Sequence, residues 1–237
     1  MLVATTPTAS APAAPPDASN AVQKRTRPAY QRFEPWRIVG TMTVDEWDVF
    51  LTTSKHKYDY VYGEVVQMAG ASPEHNLIAM NTGRIIGNAL EETDSDCEIL
   101  GSDQRVYVRE NLYYFPDLVV VCGEMQVDTR DAIRNPAALI EVLSPSTETN
   151  DRTDKFREYQ SISSLRHYVL IDQNRVAVTH YEKIAGGIWA ILGDYRDLSD
   201  SLTLTFGETS ATVPVSRIYR NLSFSPPAVP SGEPESG

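Results

Sequence analysis

The sequence predicts an α/β domain with a mixed β-sheet between helices, and three observations carry that expectation. Two apolar runs, 112–122 and 138–143, are rich in Val, Ile, Leu and Tyr and have the length of strands buried on both faces. Ahead of them, Leu77, Met80, Ile85, Ile86 and Leu90 recur at roughly helical spacing. Behind them come a second helical stretch and a further set of strands, so the order is helix, strands, helix, strands.

Residues 1–28 are dominated by Ala, Pro, Thr and Ser and are expected to form a disordered leader. A single folded domain is expected over 29–222. It opens on an irregular arm tethered by Tyr30, Phe33, Trp36 and Ile38. Thr43-Val44-Asp45-Glu46 has the form of a capping box and starts a short helix through about Thr52. Tyr58–Tyr62 and Glu64–Met68 flank Gly63 as a hairpin. Ser72-Pro73 supplies a cap and a first-turn proline for the long helix, which runs to about Glu92. Strands are expected near Cys97–Leu100, Arg105–Arg109, Leu112–Cys122 and Ala138–Leu143. The turn-rich loop 144–150 leads to a helix from about Asp151 to Ser161. Strands near His167–Asp172, Val176–Glu182, Ile188–Leu192 and Leu202–Phe206 precede a closing helix at Val215–Arg220. A Pro-rich tail, 223–237, is expected to be disordered.

The chain has 237 residues, enough for one good core or two small ones. Its net charge is −11; the first 28 residues hold Lys24, Arg25 and Arg27 against Asp17, which leaves −13 for the remainder. Duplex binding relies on cationic contacts to phosphate, so a nucleic-acid substrate must meet a local basic patch or a metal ion. No apolar run is long enough to span a bilayer, and the N-terminus has no signal-peptide core. The two cysteines, Cys97 and Cys122, make neither a disulfide framework nor a zinc cage. Cys122 reads as a small core residue, and a reducing, cytosolic location is expected. There is no Gly-rich phosphate loop, no Gly-x-Ser-x-Gly elbow and no metal-ligand spacing among the histidines.

Two acids interrupt the densest apolar runs. Asp117 follows Pro116, where a strand must start, bulge or run along an edge. It could equally cap a turn. Glu141 sits inside Leu139-Ile140-Glu141-Val142-Leu143, where an unpaired carboxylate is costly. Metal binding or catalysis competes there with a structural ion pair to Arg105 or Arg152. If the two strands are neighbours, both carboxylates face one spot, a candidate divalent-metal site. Lys155 could reach back from the following helix to hold water or phosphate. It could also be the surface partner of Asp151, four residues away. Glu64 and His75 are further candidates, against the alternatives of a solvent-facing strand residue and an ordinary first-turn histidine.

Gly63-Glu64-Val65-Val66-Gln67-Met68, Ser72-Pro73-Glu74-His75, Phe115-Pro116-Asp117-Leu118-Val119-Val120, Ile140-Glu141-Val142-Leu143-Ser144-Pro145-Ser146-Thr147 and Asp151-Arg152-Thr153-Asp154-Lys155-Phe156 together closely resemble the Uma2 family. The resemblance covers roughly Tyr58 to Tyr219. It implies a restriction-endonuclease-like core of the PD-(D/E)xK superfamily, with Asp117 and Glu141 as Mg²⁺ ligands and Mn²⁺ as a substitute. It also implies hydrolysis of DNA phosphodiesters to leave a 5′-phosphate. The superfamily lysine lies two residues after the acid, where this chain has Leu143. The family resemblance moves that role to Lys155, and gives Glu64 and His75 looser catalytic roles. A homodimer is expected by analogy alone. The competing expectation is a nuclease-fold protein that binds or regulates without cutting, and hydrolysis of some other phosphoester is a third. A nuclease requires a cationic rim, for which Arg84, Arg105, Arg109, Arg152 and Arg157 are the candidates.

Overall fold

A computed structural model describes residues 37–224. The expected leader, the aromatics Tyr30, Phe33 and Trp36, and residues 225–237 of the expected tail lie outside them. The elements in order are β1 (Ile38–Thr41), α1 (Val44–Thr53), β2 (Tyr58–Val61), β3 (Glu64–Gln67), α2 (Pro73–Glu92), β4 (Cys97–Gly101), β5 (Val106–Arg109), β6 (Leu112–Tyr114), β7 (Leu118–Cys122) and β8 (Pro136–Leu143). A helical segment follows, made of α3 (Glu148–Asn150), a π-helical turn (Asp151–Lys155) and α4 (Phe156–Tyr159). Then come β9 (His167–Asp172), β10 (Val178–Lys183), β11 (Trp189–Tyr195), β12 (Ser201–Phe206), β13 (Thr209–Pro214) and α5 (Val215–Ile218).

The strands form two main sheets and a hairpin. The first sheet has the order β1-β3-β2-β6-β5, and the second β11-β10-β9-β8-β7-β4; β12 and β13 pair alone. In the second sheet β8 and β9 are parallel and the other pairs antiparallel, so the sheet is mixed. Side chains alternate across it with period two. Leu118, Val120, Ala138, Ile140 and Val142 face α2 and the β12–β13 hairpin. Val119, Val121, Leu139 and Leu143 face the first sheet and the α4 side. The far face of the first sheet packs on α1 through Trp47, Tyr60, Tyr113 and Phe115. This is the expected α/β architecture, with the mixed sheet between helical layers.

Local chemistry explains where elements begin. The Thr43 hydroxyl accepts from the Glu46 N–H while Glu46 accepts from the Thr43 N–H, closing the capping box. The β2–β3 turn needs positive φ at two successive residues, met by Tyr62 (51°) and Gly63 (94°). Ser72 caps α2 by accepting from the His75 N–H.

Three expectations are corrected. The run 112–122 is two strands in two different sheets, not one. Pro116 has no N–H for a ladder, and the Phe115 N–H donates instead to Asp59 Oδ1 at 2.9 Å. Cys97 and Cys122 are bonded to each other, because the β4–β7 register sets them directly opposite. Cys122 is therefore not a free core thiol, and the cysteines no longer argue for a reducing compartment. The helix expected from Asp151 to Ser161 begins earlier and passes through a π turn. Strand β13 went unanticipated.

Candidate active site

The register of β7 and β8 decides the geometry. Leu118 lies opposite Ile140 in this antiparallel pair, so one step further Asp117 comes beside Glu141. Glu141 has the parity of Leu139 and Leu143 and faces away from the α2 side of the sheet, whereas Asp117, just ahead of β7, reaches the first turn of α2. Asp117 is gripped on both oxygens. Its Oδ2 accepts from the Val142 N–H at 2.7 Å, and its Oδ1 is 3.0 Å from His75 Nε2.

Glu141 is 3 % exposed. Its Oε1 accepts from Lys155 Nζ at 3.1 Å and from the Tyr159 hydroxyl at 3.2 Å. Lys155 also lies 3.4 Å from Asp151 Oδ1. The Asp151–Lys155 pair is therefore buried, not the surface pair that its spacing allows. The wider π turn spans these two residues, and such turns are frequent at functional sites. Neither Arg105 nor Arg152 pairs with Glu141: they pair with Asp48 and Glu148.

These groups line a cavity of about 390 Å³ at the junction of the two sheets. The first sheet contributes Asp59, the second Asp117 and Glu141, the π turn Asp151 and Lys155, and the start of α2 His75. Asp59 was not singled out in the sequence. It is buried, and like Glu141 it is a lone acid in an apolar strand, so the same signal marks it. Glu64 is not brought to the cavity: it starts β3, whereas Gln67 at the other end of that strand lines the wall.

The electrostatics are those of too many acids around one base. Burial, then the nearby Asp151 and Asp117 charges, push the Glu141 carboxyl well above its usual range despite Lys155. Burial likewise raises Asp151 and Asp59. Burial alone would lower Lys155, but Glu141 and Asp151 outweigh it and hold the ammonium protonated. These two directions pull against each other, since a protonated Glu141 would no longer hold Lys155. Four carboxylates against the buried Lys155 and Arg37 settle it: Lys155 keeps its proton, and the acids still share a surplus of negative charge that a proton or cation must offset.

A divalent ion fits that surplus. The donors are carboxylate oxygens, which suit Mg²⁺ or Mn²⁺. Among the described residues no group of three or more His, Cys, Asp or Glu stands ready to hold a metal. Mg²⁺ commonly takes one or two carboxylates and completes its shell with water and phosphate, which is what Asp117 and Glu141 could offer.

None of the five arginines expected as a rim lines the cavity. Arg84 bonds Asn81, Arg109 pairs with Glu158 and Arg157 with Asp154. Arg37, Lys55, His56 and Lys57 line it instead.

A lone acid just ahead of β7, another within the adjoining β8, a lysine on the helical segment after them and a cavity at the strand ends are the arrangement of a restriction-endonuclease-like protein. The chain belongs to the Uma2 family, whose model, described as "Putative restriction endonuclease", matches residues 44–214. The uncharacterized protein slr1290 of Synechocystis sp. is 36% identical over 171 residues, covering 72% of this chain and 87% of its own. The uncharacterized protein sll1609 of the same organism is 36% identical over 138 residues, covering 57% and 77%. A crystal structure from Anabaena variabilis, described as "a putative nuclease belonging to DUF820", shares the fold with a TM-score of 0.57 at 16% identity, covering 75% of this chain and 97% of that one. Among the described residues no helix is long and apolar enough to cross a membrane.

Proposed function

We propose that this chain is a Mg²⁺-dependent endonuclease that hydrolyses phosphodiester bonds in DNA, with Mn²⁺ as a substitute ion. What supports the reading is one juxtaposition: Asp117, Glu141 and Lys155 line a single cavity whose acids outnumber its buried cations, Lys155 and Arg37. The ion, held by Asp117 and Glu141, would supply Lewis acidity to a phosphate oxygen and an activated water. Lys155, whose ammonium Glu141 and Asp151 favour, is placed to position or deprotonate that water, or to hold a phosphate oxygen and offset developing charge. The Val142 N–H and His75 fix the two Asp117 oxygens, and Tyr159 fixes Glu141. Asp59 anchors the Phe115 N–H two residues before Asp117. Action in the cytoplasm now rests on the DNA substrate, not on the cysteines. Pairing of two chains to cut both strands belongs to the same proposal and is checked by light scattering.

The second reading is a nuclease-fold binding or regulatory protein that does not cut. The displacement of the five arginines and the acidic surface favour it. The deciding experiment incubates supercoiled, linear and branched DNA with Mg²⁺ or Mn²⁺. Wild type should cut, while Asp117→Ala, Glu141→Ala and Lys155→Ala should not. Cutting at the wild-type rate by Glu141→Ala would sink the assignment. No cutting by any protein, with no Mn²⁺ uptake by calorimetry, would establish the second reading.

A further inference from the structure

The acids of the site share their cavity with an unexpected cationic wall. It is built by Arg37, just before β1, and by Lys55-His56-Lys57, the loop between α1 and β2. Its three cations and one histidine do different work. Lys57 Nζ is committed to the Ser102 carbonyl (2.9 Å), the Ser102 hydroxyl (2.7 Å) and Asp103 (2.7 Å). It ties the loop to the β4–β5 turn and is a strut. Arg37 is buried and spends two of its five N–H groups on the Gln67 and Ser146 carbonyls. Its remaining donors belong to a guanidinium that lines the cavity. Lys55 and His56 are exposed, and Lys55 has no ion-pair partner among the described residues. The same three loop residues also line a second cavity of about 490 Å³, so the loop stands as a ridge between two concavities.

The catalytic cavity holds no Phe, Tyr or Trp among its lining residues. Proteins that grip unpaired bases do so by stacking them on such rings, and the described lining of this cavity offers none. Lysine and arginine contacts to phosphate oxygens position a duplex and carry no sequence information, and an exposed loop lysine beside a cavity is placed for that contact.

We propose that Lys55, His56 and Arg37, with Lys57 as their strut, form the track that binds the DNA backbone beside the catalytic acids, and that this recognition is indifferent to base sequence. The inference rests on the nuclease reading for its ligand but is tested by binding, not cutting.

The test uses full-length Glu141→Gln protein and fluorescence anisotropy with two labelled DNA duplexes of unrelated sequence, over a salt series. Adding Lys55→Ala should weaken both duplexes by roughly fivefold and reduce the salt slope by about 0.9. Lys55→Glu should weaken them further. Arg84→Ala, exposed and off the cavity, should change nothing. Equal binding by the Lys55→Ala and parent proteins would overturn the track, as would a loss confined to one sequence or failure of the parent to bind either duplex. The two proposals fail separately. Wild type that binds through Lys55 but never cuts keeps the track and refutes hydrolysis. Wild type that cuts while Lys55→Ala binds normally does the reverse.

Discussion

The Glu141 carboxyl is held where its charge is disfavoured, by burial first and then by Asp151 and Asp117. Its folded pKa lies above the unfolded one, so its contribution to stability is fully present below the unfolded value and is lost as pH rises through the folded one. Glu141→Gln keeps the shape and removes that charge. It should abolish cleavage yet raise the thermal midpoint at neutral pH, and a lowered midpoint by calorimetry would contradict the surplus-charge account. Lys155→Met does the opposite, leaving the buried acids uncompensated. It should cost about 3–5 kcal/mol at pH 7, read by urea unfolding. The loss should shrink in acid as those carboxylates take up protons. A pH-independent cost would mean that packing, not charge, held the site.

At the scale of elements, α1 is attached to the first sheet through one wholly buried side chain, Trp47. Its ring lies 5.4 Å from those of Tyr60 and Tyr113, and its Nε1 donates to the Tyr58 carbonyl. Trp47→Ala should lose about 3–5 kcal/mol in denaturant titration and loosen the Lys55–Lys57 loop that follows α1. Between β9 and β10, His167 Nδ1 and His180 Nε2 meet at 3.0 Å in the core. Burial, then His167, depress His180 to about 4. The unfolded chain takes up a proton below its ordinary value near 6.5, while the fold resists it. Stability should therefore fall as pH drops from about 6.5 towards 4, by up to about 3 kcal/mol. His180→Asn should flatten that segment of the stability–pH curve relative to wild type.

Sequence legibility also divides by element. Asp117 and Glu141 announce themselves as single acids in apolar runs, and α1, α2 and the β2–β3 hairpin follow from caps and turn residues. Asp59 carries the same signal but sits in a strand of four residues, too short to show that both faces are buried. Asp151 and Lys155 were ambiguous because an i,i+4 pair has the same spacing on a wet face as on a dry one. The cysteine pair and the cationic wall depend on which strands adjoin, and strand order is not written in local pattern.

For the molecule as a whole, the Cys97–Cys122 bond closes a loop of 25 residues spanning β4 to β7. On chain-entropy grounds it should add about 3.5 kcal/mol, so reduction should lower the unfolding midpoint without altering the cavity. An unchanged midpoint in reductant would contradict this. The same stretch of chain holds the crossing from one sheet to the other. Only Phe115, Pro116 and Asp117 separate β6 from β7, and the last of the three is a proposed ligand. So short a tether has no slack. If the two sheets slid against each other, the first atoms to register it would be those of the Asp117 carboxylate. The chain has, in effect, mounted its chemistry on the axle between two plates. A substitution anywhere in the shared core of Val61, Val66, Val119 and Leu139 is thus also a substitution in the alignment of the site, and the proposed cleavage should fall before stability does.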